Sequence, residues 1–404
     1  MDRTPADDLA TMLTTPTSRR QALKALTAMA VAAPLALNDI GTAFAARQEP
    51  QTSPQVKPDC ARANHIVALA KQAMQQHDLQ AVILSVSIGN QHVVTTALGQ
   101  SMTGVPATTQ MHWRNGNVAV SYLAMLLLQL VDQRRVRLDD RLATWLPSLP
   151  HAQSITLRML AESRSGYVDY VRTPAFVQAV EANPFREWRP QELIQIGTSQ
   201  PLLYQPGTSF NYAHTNFVIL GMALQKITGK PVATLLRQHI LTPLGLHATA
   251  SRSTPDIPPP VLHAFTAERG RYEESTFWNP SWTTARGTIM TSTTGDVRKS
   301  AIAIGQGTLL SAASHRAMIA PVSLITPPGQ PPVYYGIGVA LTNSWVFQQP
   351  LFFGYQGLMA YLPAKKIAIA ITTTSGEKST PSTNYSTLIF RSIGRYLAPD
   401  HPPL

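Results

Sequence analysis

The stretch from Trp113 to Asp140 decides the fold of this chain. It opens Trp113-Arg-Asn-Gly-Asn117-Val-Ala-Val120-Ser-Tyr and continues as Leu128-Gln-Leu-Val-Asp-Gln-Arg-Arg-Val-Arg-Leu-Asp-Asp140. The long apolar run over 118–133 predicts a buried helix. Residues one turn apart on a helix face the same way, so position 117 shares its face with 120 and 121. The Asp139-Asp140 pair follows a helix-to-turn junction, which favours turn and capping roles over paired catalytic carboxylates.

The pattern on either side of this helix predicts an α+β fold. Two β-rich runs, 81–87 and 92–98, flank Gly89-Asn90 and predict a hairpin. Strands return at 333–341, 351–362 and 367–374, and helices are predicted at 61–77, 191–197, 216–228, 232–240 and 382–397. Strands at both ends with helices between them predict a mainly antiparallel sheet built from the two termini, with a helical lobe inserted at about 105–300.

The N-terminal region predicts export. Residues 18–24 match a twin-arginine signal, with Ala22 where a Phe is usual, and 22–37 supply the apolar stretch. Small residues at 43–45 predict a signal peptide over 1–45, a flexible linker over 46–62 and a folded domain over 63–400. The apolar run is short and contains Pro34, which disfavours a membrane anchor. We therefore expect a periplasmic or extracellular protein without a stable membrane span.

The charge and composition of the chain limit the classes of binding partner that we expect. The formal net charge is +11, but the charges are scattered without the Lys/Arg runs and interleaved aromatics that indicate nucleic-acid binding. A positive field suits anionic wall polymers or lipid head groups, and it equally suits a basic surface with no specific partner. Cys60 is the only cysteine, so an intramolecular disulfide is impossible. We find no metal-ligand spacing and no cofactor motif, and we expect no cofactor.

Four further segments resemble one known family. Residues 205–216 are similar to its Pro-Gly-x-x-Phe-x-Tyr-x-Asn-x-Asn segment, and 155–166 to its Thr-Ile-Arg-x-Leu-Leu-x-His-Thr-Ser-Gly stretch. Residues 278–296 resemble its approach to a Ser-Thr-x-x-Asp segment, and 354–363 its late Pro-Gly-Tyr strand. Together with the stretch at 113–140, they resemble the serine β-lactamases and D-alanyl-D-alanine carboxypeptidases, or penicillin-binding proteins. The resemblance implies their fold and an acyl-transfer cleft.

The positions that the resemblance assigns to catalysis are mostly altered. Aligned through Leu128-Gln-Leu-Val, the nucleophilic Ser of Ser-x-x-Lys falls on Asn117 and its Lys on Val120. The Tyr of Tyr-x-Asn is retained as Tyr212, whereas its Asn becomes His214. The third motif falls on Gln348 and Pro350 in one register, or on Tyr355 in another, and neither register supplies the usual basic residue. The resemblance implies ligand contacts from Asn117, Tyr212, His214, Asn216, Gln348 and Tyr355.

These replacements remove the parts that serine acyl transfer needs. A carboxamide is a poor nucleophile, and a Val side chain cannot take a proton. Ser121 lies one turn deeper than Asn117, and we interpret it as a structural hydroxyl. Ser165 and Ser292 lie on segments that shape the cleft in relatives, and we interpret them as structural too. The His of His-Thr-Ser-Gly is also changed, to Ser163.

Three functional hypotheses follow. The first is an exported pseudoenzyme that binds a peptidoglycan stem peptide, a related acyl-amide or a protein partner in the old cleft. The second is a hydrolase or lyase with rewired chemistry, in which Tyr212 and His214 transfer protons and Asn117 orients the substrate. The third is an envelope scaffolding protein without a small ligand.

Overall fold

The computed structural model describes residues 60–252 and 254–403. The helices are α1 (Cys60–Gln76), α2 (Val118–Asp132), α3 (Leu157–Ala161), α4 (Pro174–Ala182), α5 (Pro190–Thr198), α6 (His214–Thr228), α7 (Val232–Leu236), α8 (Thr294–Gln306), α9 (Ala312–Met318) and α10 (Tyr385–Leu397). The strands are β1 (Leu79–Ile88), β2 (Gln91–Met102), β3 (Val105–Pro106), β4 (Trp113–Arg114), β5 (Ala250–Ser251), β6 (Phe265–Thr266), β7 (Glu273–Glu274), β8 (Met290–Ser292), β9 (Ser323–Leu324), β10 (Tyr334–Tyr335), β11 (Ala340–Thr342), β12 (Trp345–Gln348), β13 (Leu351–Phe352), β14 (Tyr355–Leu362) and β15 (Ile367–Ser375).

The main sheet joins the two ends of the domain. Its ten strands run in the order β3-β2-β1-β15-β14-β12-β11-β10-β9, with β13 paired to β14, and every pairing is antiparallel. The N-terminal hairpin β1–β2 lies beside the C-terminal strand β15. The predicted α+β class, with an antiparallel sheet built from both termini, is therefore confirmed.

Helices cover both faces of this sheet. Side chains alternate along β14, so the Gln356 Oε1 accepts from the Tyr385 N–H at the start of α10, whereas Tyr361 faces Gly305 of α8. Helices α1 and α10 pack on one face of the sheet, and α8 packs on the other. Both faces of the central strands are therefore covered, and every residue of β14 and β15 is buried.

Helix α2 is the centre of the helical lobe. It packs against α6, α7 and α9, and its side chains are buried almost throughout, as the apolar run predicted. A helix that is apolar on all sides is stable only when other elements enclose it. The lobe therefore fixes the position of the N-terminus of α2 and of Asn117 in front of it.

Several predicted elements differ in their bounds. The helix predicted over 232–240 is α-helical only to Leu236 and continues as a π-helical turn, Arg237–Leu241. The strand predicted over 351–362 is two strands, because a turn at Gly354 brings the backbone against the Phe265 carbonyl. Helix α8 packs on strands β1, β14 and β15 of the main sheet.

The predicted signal peptide and nearly all of the linker lie outside the described residues. The last residues assigned to the linker begin helix α1, and Cys60 is exposed there. Within the described part of the chain, no helix is long and apolar enough to cross a membrane.

Candidate functional site

Asn117 stands immediately before helix α2 and faces Tyr212. Asparagine commonly caps a helix with its side chain, but Asn117 makes no such bond. Its carboxamide instead lies beside the Tyr212 phenol, whose pKa it lowers, while its Oδ1 is buried without a partner among the described residues. Val120, one turn on, is buried, and an alkyl side chain has no proton-accepting atom. The nucleophile and base positions thus hold an amide and an alkyl group.

Ser121 is sealed inside the protein. It is 0% exposed, and its hydroxyl donates to the Gly338 carbonyl at 2.7 Å. The Gln348 Nε2 donates to the same carbonyl at 2.7 Å and lies 3.3 Å from the Ser121 Oγ. Gly338 has a positive φ of 67°, and a Cβ there would lie 2.6 Å from the Ala124 Cβ. This close packing leaves a substrate no path to Ser121 and matches the structural role we predicted.

Tyr212 remains a neutral phenol in this environment. Its ring packs edge-on against His214, with ring centroids 5.4 Å apart, and against Tyr335 at 6.0 Å. Burial raises the pKa of Tyr212, the nearby Asp169 carboxylate raises it further, and the polar side chain of Asn117 offsets these two effects only in part. A base at neutral pH needs a pKa close to 7. Tyr212 can therefore donate a hydrogen bond, but it does not hold a negative charge.

His214 is oriented by an acidic residue that the sequence analysis missed. The Asp169 carboxylate accepts the backbone N–H of His214 at 3.0 Å and lies 3.1 and 3.2 Å from its Nδ1. Asp169 is 3% exposed, whereas the His214 side chain is 24% exposed. A carboxylate on Nδ1 favours the proton there, which leaves Nε2 as an acceptor. The signal in the sequence was a lone acid between apolar residues in Tyr167-Val-Asp-Tyr170.

The two possible alignments of the third motif place it on residues that lie in different surroundings. Gln348 ends strand β12 beside Ser121, whereas the Tyr355 hydroxyl donates to the Leu262 carbonyl at 2.5 Å and does not reach α2. Pro350 packs against the turn before Asn117, since a Cβ on Gly116 would lie 2.7 Å from the Pro350 Cβ. Proline has no N–H to donate to an oxyanion. Gln348 and Pro350 thus lie close to helix α2 and to the turn before it, whereas the Tyr355 hydroxyl is bonded to Leu262.

Asn216, which we expected to contact a ligand, is bonded to residues of the protein itself. It is buried, its Oδ1 accepts from the Ser165 Oγ at 2.5 Å, and its Nδ2 donates to the Ser163 Oγ at 3.4 Å. These bonds satisfy both ends of the amide within the protein, so Asn216 holds the 163–166 turn and does not face the cleft. Ser165 has the structural role that we predicted for it.

Ser292 also lies in a structural network. Its hydroxyl lies 2.7 Å from the Thr249 Oγ1, which in turn donates to the Asp296 Oδ2 at 3.1 Å. Asp296 accepts the backbone N–H of Ala248 at 2.8 Å as well. The segment that resembles Ser-Thr-x-x-Asp therefore anchors the 248–249 loop to the start of α8.

The class is defined by the sheet covered by helices, together with a helical lobe that carries Asn117 and Tyr212 beside the strand that carries Gln348. It is the fold shared by serine β-lactamases and penicillin-binding proteins. The family model described as "Beta-lactamase" matches residues 66–390, and the chain belongs to this family.

The individual relatives share less than a third of their residues with this chain over the matched segments. "Penicillin-binding protein 4" of Amycolatopsis lactamdurans is 29% identical over 184 residues, which are 43% of this chain and 45% of that protein. The chain thus matches less than half the length of that relative. Among solved structures, a D-stereospecific amidohydrolase from Streptomyces sp. superimposes with a TM-score of 0.70 at 24% identity, covering 83% of this chain and 98% of that one. The D-amino acid amidase of Ochrobactrum anthropi SV3 gives 0.74 at 22%, covering 84% and 99%. These two likenesses show the fold.

Proposed function

We propose that this chain is a β-lactamase-family pseudoenzyme that binds an acyl-amide ligand, of the peptidoglycan stem-peptide type, in the former catalytic cleft. The observation that carries the proposal is the replacement of the nucleophile and the base by Asn117 and Val120, while the next serine on the same helix, Ser121, is buried and hydrogen-bonded to Gly338 and Gln348. Acyl transfer needs a reachable nucleophile with a base beside it. In this proposal, the protein keeps the cleft but has lost both the nucleophile and the base.

The groups that remain suit an amide. The Asn117 carboxamide can both donate and accept, the Tyr212 hydroxyl is neutral and can donate, and Nε2 of His214 can accept. The ring of Trp282 lies 6.1 Å from that of His214 and offers an apolar wall. An amide group presents one N–H and one carbonyl oxygen, so these side chains can pair with both. A small neutral ligand with an apolar side chain therefore fits better than a strongly charged one.

Calorimetric titration with an N-acylated D-alanyl-D-alanine amide, which is neutral, tests the binding. We expect saturable one-site binding that weakens about tenfold in Asn117→Ala and in His214→Ala, the usual loss for one hydrogen bond. His92→Ala is the matched control, because His92 lies on the hairpin strand β2, where its side chain is bonded to the Thr95 hydroxyl. Unchanged affinity in both cleft variants would place the ligand elsewhere. No saturable binding, with one envelope protein captured reproducibly, would favour the scaffolding hypothesis.

The Asp169–His214 pair favours a second candidate, a hydrolase or lyase with rewired chemistry. A buried carboxylate that orients an exposed imidazole is the arrangement of a general base, and the Tyr212 phenol beside it could supply a proton. Turnover of the same peptide, followed by chromatography, should then disappear in His214→Ala and Tyr212→Phe while the circular dichroism spectrum stays native. Asp169→Asn should lower the rate while the fold stays native, because the imidazole of His214 loses the carboxylate that orients it. Turnover that survives in both His214→Ala and Tyr212→Phe contradicts this assignment.

Export by the twin-arginine route, into a periplasm or out of the cell, completes the proposal. The support is the Ser18-Arg-Arg-Gln-Ala-Leu-Lys24 motif with its apolar stretch and small residues at 43–45. We expect a mature N-terminus near Ala46. An unprocessed cytoplasmic protein that starts at Met1 would contradict it.

A further inference from the structure

A cavity of ≈ 400 Å³ opens at the surface of the helical lobe. One side of it is formed by helix α7 and the π-helical turn that continues this helix, and the other side by the chain from Leu246 to Ser251. Binding sites for small molecules typically measure about 300–1,000 Å³. Asn117, Tyr212 and His214 are not among the described residues that line the cavity, so it is separate from the cleft.

The first side of the cavity is one face of a helical segment. Ala233, Arg237 and Leu241 line it at four-residue spacing, and residues one helical turn apart lie on the same face. The π-helical turn begins at Arg237, whose carbonyl oxygen accepts the Thr242 N–H at 3.0 Å. Single π-helical turns are rare and often occur at functional sites. The segment that brings Arg237 to the cavity therefore has the irregular backbone that is common at such sites.

Arg237 gives the cavity a positive charge without a counter-charge. Within residues 60–252 and 254–403, its guanidinium has no hydrogen-bond or ion-pair partner. None of the described residues that line the cavity is acidic. The carboxylate of Asp296, which accepts from the lining residue Thr249, is buried and is also bonded to Lys299. An anion that enters the cavity therefore meets one unpaired cation and no carboxylate on the walls.

Three further polar side chains of the lining are available to a ligand. Thr234, Thr242 and His247 make no side-chain hydrogen bond to any described residue, whereas the hydroxyls of Thr249 and Ser251 are engaged within the protein. A hydroxyl group both donates and accepts, and an imidazole ring has an N–H to donate. These side chains can therefore add hydrogen bonds to the charge of Arg237.

The inner part of the cavity is apolar. Leu241 and Leu246 line it and are 7% and 2% exposed, respectively, whereas Arg237 and His247 are exposed. The charge therefore lies at the mouth of the cavity and the alkyl side chains at its bottom. One guanidinium pairs in a planar, bidentate way with a carboxylate, whereas a phosphate group brings up to about two negative charges. A single carboxylate on an apolar body is the chemistry that fits this lining.

We propose that this cavity binds a small organic monocarboxylate, with its carboxylate on Arg237 and its apolar body against Leu241 and Leu246. The Thr234 and Thr242 hydroxyls and the His247 imidazole supply the remaining hydrogen bonds. A molecule of about ten heavy atoms matches the available volume. This site is additional to the proposed ligand cleft, and its existence does not depend on the function proposed for that cleft.

Crystals soaked with 3-(4-bromophenyl)propanoate test the site directly. Bromine scatters anomalously, so we expect a peak beside Leu241 and Leu246, with the carboxylate of the probe within hydrogen-bond distance of the Arg237 guanidinium. A map with bromine only in the cleft or on the surface, or with no bromine in the cavity, overturns the proposal.

Fluorine NMR titration with 3-(4-fluorophenyl)propanoate measures the affinity in solution. We expect Arg237→Gln to weaken binding about tenfold or more, because the charge-assisted hydrogen bonds to the carboxylate are lost. Arg316→Gln is the matched control, since Arg316 is also exposed and carries the same charge but lies on helix α9 and does not line the cavity. Asn117→Ala should bind the probe like the wild type, which separates this site from the cleft. Equal affinity in Arg237→Gln and the wild type, or a loss in Asn117→Ala, would contradict the site.

Discussion

Benzylpenicillin and a fluorophosphonate should leave the mass of this protein unchanged. Both reagents acylate or phosphonylate a reachable, activated serine, and the cleft presents Asn117 and Val120 where that serine and its lysine would stand. Loss of a catalytic nucleophile typically lowers the rate by about 10⁴–10⁶, which corresponds to roughly 5–8 kcal/mol of transition-state stabilisation. Intact-protein mass spectrometry of the folded chain after long incubation checks this expectation.

Two variants make the result interpretable. Ser121→Ala should remain unmodified like the wild type, because the buried Ser121 hydroxyl is already hydrogen-bonded to Gly338 and Gln348. Asn117→Ser combined with Val120→Lys restores both reactive groups at the helix N-terminus, and a fluorophosphonate adduct on position 117 would show that the cleft still admits the reagent. A stoichiometric adduct on the wild type that vanishes in Ser121→Ala would refute the pseudoenzyme proposal and identify the nucleophile.

The sequence was sufficient for the elements with a strong local pattern. The apolar run of α2 and the alternating hairpin β1–β2 follow from periodicity alone, since each buries a face that its own spacing defines. The break at Gly354 was missed, because it depends on a close approach to the Phe265 carbonyl that only the tertiary structure creates. The π-helical turn Arg237–Leu241 likewise has no signal in the apolar spacing.

The cleft was predictable by position but not by environment. Alignment with the family motifs identified Asn117, Tyr212 and His214, and the structure brings these three together. The alignment could not reveal that Asp169 orients His214, because these two residues are far apart in the sequence and come into contact only in the folded protein. It also treated Asn216 as a ligand-binding residue, since a motif gives a position but not the direction in which a side chain points.

Gly305→Ala should destabilise the protein by about 3 kcal/mol. Helix α8 packs so closely on strand β14 that a Cβ at position 305 would lie 2.2–2.8 Å from three atoms of the Tyr361 side chain, including its own Cβ. The Tyr361 ring is buried, and its hydroxyl accepts from the Gln306 Nε2 at 2.8 Å, so it cannot swing away without losing that bond. Urea unfolding followed by tryptophan fluorescence measures the change.

Gly295→Ala on the same helix separates packing from helix propensity. The nearest atom to a Cβ at position 295 is the Thr293 Oγ1 at 3.9 Å, so the substitution meets no obstacle and should stabilise by about 0.5 kcal/mol through the lower entropy of the unfolded chain. If both variants were stabilised, α8 would have to stand farther from β14 than the structure shows. The cleft would then change too, because β14 lies between β12, which carries Gln348, and β15. Opposite signs for the two glycines are therefore a test of the sheet–helix spacing on which the geometry of the cleft depends.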